Sequence, residues 1–311
     1  MQANLLHVIV PISNPVLWKS RITLYNKFEQ HMLDSGVNLY VVECALSERP
    51  FQLNANPSVT HIGVRHNTLC WHKESLVNIG IARLPESAKY IAVADGDIIF
   101  RNPNWASDTV HALQQYHVIQ PWEHAYDLGP GGGHLQVHTS FCSLVAKGQP
   151  ISATWNNAYT YGHPGFFWAW TRQALEWTGG LIDFAALGSA DHNMALGLLG
   201  RISETFPPGL SEEFTRLMRV WESRAKKFLG VDHIGYIPGT IEHMFHGSKN
   251  DPVHGRKYRE RWDILREFQF NPLTDIKKNT YGVTELSGNK PGLERAIDQY
   301  MRNRAEDSNR A

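Results

Sequence analysis

The sequence predicts an α/β fold: a doubly wound, mostly parallel sheet flanked by helices, with further helical elements at the C-terminal end. Three observations carry that expectation. Apolar β-type runs alternate with segments of helical periodicity along the first part of the chain. One run, residues 91–94 (Ile-Ala-Val-Ala), is apolar without alternation, as strands covered by helices on both faces are. It leads straight into Asp95-Gly96-Asp97, two carboxylates at the carboxyl end of a strand, where open α/β sheets place their ligands.

Each element follows from its own pattern. Residues 5–12 form a β-type run closed by Ser13-Asn14-Pro15, and residues 18–33 place Ile22, Tyr25, Phe28 and Met32 at helical spacing before Gly36. Residues 37–42 and 60–64 read as strands, and Leu76, Val77, Ile79, Ala82 and Leu84 mark a helix that ends at Pro85. After the acidic strand end, residues 108–116 read as a short helix and 118–122 as a strand. Residues 127–134 (Asp-Leu-Gly-Pro-Gly-Gly-Gly-His) are expected to hold no regular structure, as either a closing lid or a surface excursion. Residues 166–170 read as a buried strand, 172–177 as a short helix, and 191–199 as a helix presented by Gly188-Ser189. Helices are expected over 211–228, 255–268 and 291–304, and a strand over 234–238. Right-handed crossovers then follow for the parallel strands.

The 311 residues, 42% hydrophobic, suffice for one large or two closely packed bodies. The three cysteines (Cys44, Cys70, Cys142) lie far apart, which speaks against a zinc site or a disulfide framework and for buried thiols. Residues 5–10 are too few to span a bilayer and carry no basic leader, so a cytoplasmic protein without membrane contact is expected. Lys plus Arg and Asp plus Glu number 30 each, which gives no global footprint for nucleic acid. Locally, residues 216–266 hold eleven basic against six acidic side chains, a surplus that could meet phosphates but reads first as solvated helix faces.

Asp95 and Asp97 suit a divalent cation because hard Mg²⁺ or Mn²⁺ takes one or two carboxylates and leaves the remaining positions to water and substrate phosphates. An isolated D-x-D is more often a pair of solvated or capping acids. His243 and His246, three apart, share a face if helical and oppose one another if extended. Trp168 and Trp170 are core residues by default, although aromatic faces also stack on sugars and bases.

Four pieces occur in order: Trp71-His72-Lys73-Glu74; Asp95-Gly96-Asp97; Gly179-Gly180-Leu181 followed by Gly188-Ser189-Ala190-Asp191-His192; and His243-Met244-Phe245-His246-Gly247 followed by Arg256-Lys257-Tyr258 and Arg261. With them the chain resembles the metal-dependent glycosyltransferases of the GT-A fold, most closely family-2-like and galactosyltransferase-like proteins of the bacterial and phage type. The resemblance covers roughly residues 4–270. It implies a catalytic domain over 1–270 with a helical extension over 271–311 packed on it. It also implies Mn²⁺ or Mg²⁺ held by Asp97, Asp95 and His246, and a UDP-sugar donor whose nucleotide or diphosphate meets Asp95, Arg65 and Lys73. Asp191 matches the general base of inverting members, with Asp183 as its rival. The Asp191 block lacks the Trp-Gly-acidic run of the better-known galactosyltransferases.

For the acceptor, the phage-like character implies a hydroxymethylated base in double-stranded DNA, with Trp168, Trp170 and His192 beside it and the 216–266 cluster toward the phosphates. A phage-encoded protein would act in the host cytoplasm. A glycan, lipid or protein hydroxyl is the competing acceptor. A metal-dependent sugar nucleotidyltransferase is the competing enzyme, although residues 10–14 lack its Gly-rich phosphate loop, and a non-catalytic sugar-binding protein is the competing class outside enzymes.

Overall fold

The computed structural model describes residues 2–151, 162–247, 259–304 and 306–308. The chain opens with β1 (Leu6–Ser13), α1 (Lys19–Asp34), β2 (Asn38–Leu46), β3 (Thr60–His66), α2 (Lys73–Arg83) and β4 (Tyr90–Ala94). It continues through β5 (Ile98–Phe100), α3 (Trp105–Ala112), β6 (Val118–Gln120), β7 (His124–Leu128), β8 (His134–Thr139), α4 (Phe141–Ala146), β9 (Phe167–Thr171) and α5 (Arg172–Thr178). Then come α6 (Ala190–Leu198), α7 (Glu212–Phe228), β10 (Ile234–Tyr236), β11 (Thr240–His243), α8 (Glu260–Glu267), β12 (Ile276–Lys278), β13 (Thr284–Leu286) and α9 (Pro291–Arg302).

The main sheet has seven strands in the order β10-β6-β9-β4-β1-β2-β3. β1 pairs in parallel with β2 and β4, β2 with β3, and β6 with β10, while β9 runs antiparallel to both β4 and β6. The expected mostly parallel α/β sheet is present, with β9 as its antiparallel member. Period-two alternation divides the sheet's apolar side chains between two cores. Ile9, Ile91 and Val93 face a core shared with α2, α6 and α7. Val8, Val10, Ala92 and Ala94 face one filled by Tyr25, Phe28 and Met32 of α1 and Trp105 and Val110 of α3. Helices cover both faces, which is what an unbroken apolar strand such as β4 requires.

The helices begin where their residues say they should. Ser211 caps α7 by accepting from the Phe214 amide, Glu212 and Glu213 lie in its first turn, and Lys226 and Lys227 lie in its last, an arrangement that suits the helix dipole. Phe214, Met218, Trp221 and Ala225 form its buried stripe. The helix expected from residue 255 is described only from Glu260, because 248–258 lie outside the described residues. Lys249, Arg256 and Lys257 of the basic cluster, and the Arg256-Lys257-Tyr258 piece, lie there too.

Two expectations are corrected. Residues 127–134 are not wholly irregular: Asp127 and Leu128 end β7, His134 opens β8, and residues 129–133 form the turn of a hairpin. The Gly129 amide donates to the Gly133 carbonyl at 2.7 Å, and Gly132 takes a φ of +80°, which a side chain would strain. The C-terminal part is also not purely helical, since β12 and β13 form an antiparallel hairpin before α9. Cys44, Cys70 and Cys142 are buried free thiols, as expected. No helix among the described residues is long and apolar enough to cross a membrane.

A second sheet of four strands, β5-β11-β7-β8, leads to the site. Its first strand is joined to β4 only by Asp95-Gly96-Asp97, so the acidic pair lies at the junction of the two sheets.

Candidate metal centre and active site

The junction is built for close approach. A Cβ at Gly96 would lie 3.1 Å from Cδ1 of Ile12 and 3.3 Å from Cγ2 of Val10, so the residue between the two acids presses on β1 and glycine fits there without adjustment. Asp97 then opens the second sheet. Strand register does the rest: β11 pairs antiparallel with β5, setting His243 opposite Ile98, and parallel with β7, setting His243 opposite Asp127. The Met244 amide donates to the Asp97 carbonyl at 2.8 Å, which fastens the strand end to the junction.

Three ligand atoms converge as a result. Asp97, His243 and His246 each offer one within 4.8 Å of the others. His243 Nε2 lies 3.6 Å from Asp97 Oδ1, His246 Nε2 lies 3.3 Å from Asp97 Oδ2, and the two Nε2 atoms are 3.2 Å apart. Each ring turns its other nitrogen to a carboxylate: His243 Nδ1 is 2.7 Å from Asp127 Oδ1, and His246 Nδ1 is 3.6 Å from Glu306 Oε2. The far oxygen of Asp127 is 2.9 Å from His138 Nε2. Asp97 Oδ1 is buried without a hydrogen-bond partner among the described residues. Burial alone would raise the Asp97 carboxyl, but His243, His246 and Arg21 outweigh it and hold the group below the ordinary carboxylate range. An orphaned carboxylate oxygen facing two imidazoles whose outer nitrogens are already engaged fits a divalent cation. Two imidazoles suit Mn²⁺ better than Mg²⁺, which prefers an all-oxygen shell.

Asp97 and His246, both expected as ligands, are thus brought together, and His243 joins them. Asp95 is turned elsewhere. It forms an ion pair with Lys73, and its Oδ2 accepts from the Phe166 amide at 3.2 Å. Burial alone would lower Lys73, but Asp95, Asp191 and Glu74 outweigh it, and the ammonium is held charged well above its ordinary range. Asp191 stands in the first turn of α6, with its Oδ1 accepting from the His192 amide at 2.8 Å. Burial raises Asp191 above its ordinary value, opposed by Lys73 and Arg261. Ser189 before it and Phe166 beside Asp95 both hold a φ of +70°, backbone strain of the kind that gathers at functional sites.

One cavity at the carboxyl ends of β1 and β4 joins Lys73, Asp95, Asp97, Asp191, His192 and the two histidines. Arg21, Arg261 and Arg304 also line it. Asp183 does not; it is engaged by Lys278 at 2.6 Å and by Asn78 at 3.2 Å. Arg65 does not either: its guanidinium donates to the carbonyls of Ser47 and Arg49 and lies 4.9 Å over the Phe51 ring. Trp168 and Trp170, at 9% and 2% exposure, are core side chains of β9 and do not line this cavity. Trp71 lines the cavity instead, with Arg304 4.9 Å over its ring. Sequence reasoning left His243 unassigned, although its spacing from His246 was visible. Asp127, Glu306, Arg21 and Arg304 left no local signal.

No family model and no curated protein matches the chain. Among solved structures, the chain is similar to the catalytic domain of Drosophila beta1,4-galactosyltransferase 7 in complex with xylobiose, at 12% identity over 96% of this chain and 98% of that one, with a TM-score of 0.40. A variant of that enzyme in complex with manganese, UDP-Gal and xylobiose is similar at 11% identity over 96% and 98%, also with a TM-score of 0.40. The 4-diphosphocytidyl-2C-methyl-D-erythritol synthase of Anaerococcus prevotii is similar at 8% identity over 76% of this chain and 88% of that one, with a TM-score of 0.33. What the site does is read from its own residues.

Proposed function

We propose that the protein is a metal-dependent glycosyltransferase that moves a sugar from a UDP-sugar to an acceptor hydroxyl with inversion. The observation that carries this reading is the Asp97, His243 and His246 cluster, which shares one cavity with the buried Asp191 carboxylate. A bound Mn²⁺ would supply charge stabilisation to the departing nucleoside diphosphate. Asp97, His243 and His246 would hold that ion. Arg21 and Arg304 also line the cavity and share Glu306 between them, which leaves a net positive charge near the place a diphosphate would take.

Asp191 takes the proton of the acceptor hydroxyl as its oxygen bonds to the anomeric carbon and the carbon–diphosphate bond breaks. A raised pKa makes Asp191 a better proton acceptor than an exposed aspartate. Lys73 forms an ion pair with Asp95, and its positive charge favours the ionised form of Asp191 against the effect of burial. Asp183, held by Lys278 outside the cavity, is set aside as the base.

For the acceptor we retain a hydroxymethylated DNA base as one candidate and a sugar hydroxyl as the other. The basic side chains of α7, Arg259 at the start of α8, and Arg261 and Arg266 within it support the first; the burial of Trp168 and Trp170 speaks against the stacking platform expected for it. The test is UDP release from a UDP-sugar with Mn²⁺, before and after Asp97→Ala. Metal-dependent release that the substitution abolishes is expected, and release that survives it would overturn the reading. Pyrophosphate release would favour a nucleotidyltransferase instead. Transfer to hydroxymethylated duplex that falls steeply with salt would select DNA, whereas transfer to a free sugar with none to the duplex would select a sugar.

A further inference from the structure

The C-terminal tail occupies an unexpected place. Glu306 has no exposed surface, although it lies only a few residues from the chain's end. Arg21 grips its carboxylate with two donors, at 2.5 and 2.8 Å, and Arg304 donates a third at 2.7 Å. The same carboxylate faces Nδ1 of His246 at 3.6 Å. The next residue staples the tail to the start of α1: Asp307 Oδ2 and Oδ1 accept from the amides of Lys19 and Ser20, each at 2.9 Å. The Ser20 hydroxyl donates to the Glu306 carbonyl at 3.0 Å. Amides in the first turn of a helix have no partner within it, and a carboxylate there also meets the positive end of the dipole.

The arrangement repeats, from a different part of the chain, what Asp127 does for His243. Asp127 comes from the neighbouring strand of the same sheet, and its place follows from register. Glu306 comes from the opposite end of the sequence and reaches His246 only when the tail is docked. Two carboxylates thus stand behind two imidazoles whose inner nitrogens converge on Asp97, Asp127 at 2.7 Å from His243 and Glu306 at 3.6 Å from His246.

We propose that the C-terminal tail is a working part of the metal centre: Glu306 is the positioning residue for His246, Asp307 is the staple that keeps it there, and tail docking and cation binding strengthen one another. This rests on the reading of Asp97, His243 and His246 as metal ligands. Coupling of two binding events is reciprocal, so the factor by which loss of the staple weakens the cation equals the factor by which the cation tightens the tail. Outer carboxylates on metal-bound histidines typically change metal affinity about 10–100-fold. Glu306→Gln keeps the size of the side chain and removes its charge, whereas Asp307→Ala leaves every group around the cation in place and frees only the staple.

The experiment titrates Mn²⁺ alone into the full-length protein, wild type and both variants, and follows hydrogen exchange at the Lys19 and Ser20 amides of the wild type with and without Mn²⁺. Expected are a Kd for Mn²⁺ weakened about 10–100-fold in Glu306→Gln, a smaller weakening in Asp307→Ala, and slower exchange at both amides when Mn²⁺ is bound. Wild type that binds Mn²⁺ with exchange at Lys19 and Ser20 unchanged would overturn the tail's role and leave the metal centre standing. So would a folded Glu306→Gln that binds Mn²⁺ as tightly as wild type. Wild type that binds no Mn²⁺ would remove the metal centre and the tail's role together. Should Glu306→Gln fail to fold, the exchange measurement on the wild type decides alone.

Discussion

His243 and His246 face one another across 3.2 Å, Nε2 to Nε2, with Asp97 beneath both. His243 is tied behind to Asp127 at 2.7 Å, and His246 turns its Nδ1 toward Glu306 at 3.6 Å. The ligand set is held by the protein's own groups, and the parts that hold it can be tested separately.

Asp127 joins His243 to His138 through its two oxygens, at 2.7 and 2.9 Å. Asp127→Asn keeps the shape but replaces one accepting oxygen with a donor. We expect Mn²⁺ affinity to fall about 10–100-fold, read by titration calorimetry. An unchanged Kd would show that the ring is held by strand register alone.

Asp191 is raised above its ordinary value by burial, against the opposing charges of Lys73 and Arg261 and alongside Asp95. His192 and Glu74 also line its surroundings. As pH falls through that raised value, Asp191 takes up a proton and can no longer accept one from the acceptor. The acid limb of kcat against pH is therefore expected above the free-aspartate value of 3.8. Asp191→Asn should lower kcat about 10²–10⁴-fold with little change in the donor KM. A variant whose loss lay wholly in KM would show that Asp191 binds and does not act as base.

Glu74 is pushed up by burial, against Lys73, from 4.5 to about 8. A carboxyl whose pKa is higher folded than unfolded contributes stability that is complete below the unfolded value and is lost as pH rises through the folded one. Glu74→Gln has no proton to lose, so its melting temperature should gain on the wild type between about pH 5 and about pH 9. Thermal unfolding at both ends of that window measures it; parallel curves would mean that Glu74 is ionised throughout.

Trp170 is 2% exposed and packs in the core beside Trp168, with ring centroids 5.9 Å apart. Trp170→Ala should destabilise the fold by about 3–5 kcal/mol, read by denaturant unfolding. Trp170→Phe should keep the acceptor KM, and a large rise in that constant in a folded variant would restore an acceptor role to the residue.

Local patterns wrote the sheet plainly. The unbroken apolar run of β4, the helical stripe of α1 and the acidic pair behind β4 are each decided by residues a few positions apart, where periodicity and propensity operate. The hairpin of β7 and β8 was missed because β8 is exposed along most of its length, so no buried face imposed an alternation on its sequence. Sequence leaves Asp183 as a rival to Asp191 for the base, and only the fold brings Lys278, from far along the chain, beside Asp183. Trp168 and Trp170 read as core by default, with a stacking contact as the alternative, and both are buried.

By itself the sequence determined the α/β architecture, Asp97 at its strand end and a pair of histidines three apart. Tertiary structure alone decided that Asp95 turns to Lys73, that both histidines close on Asp97, and that Asp127 and Glu306 stand behind them. The physical reason is range. An apolar stripe is specified by its immediate neighbours, but the meeting of residues 97, 127, 243, 246 and 306 depends on the register of one short sheet and the docking of a tail. Those are settled only when distant segments bury one another.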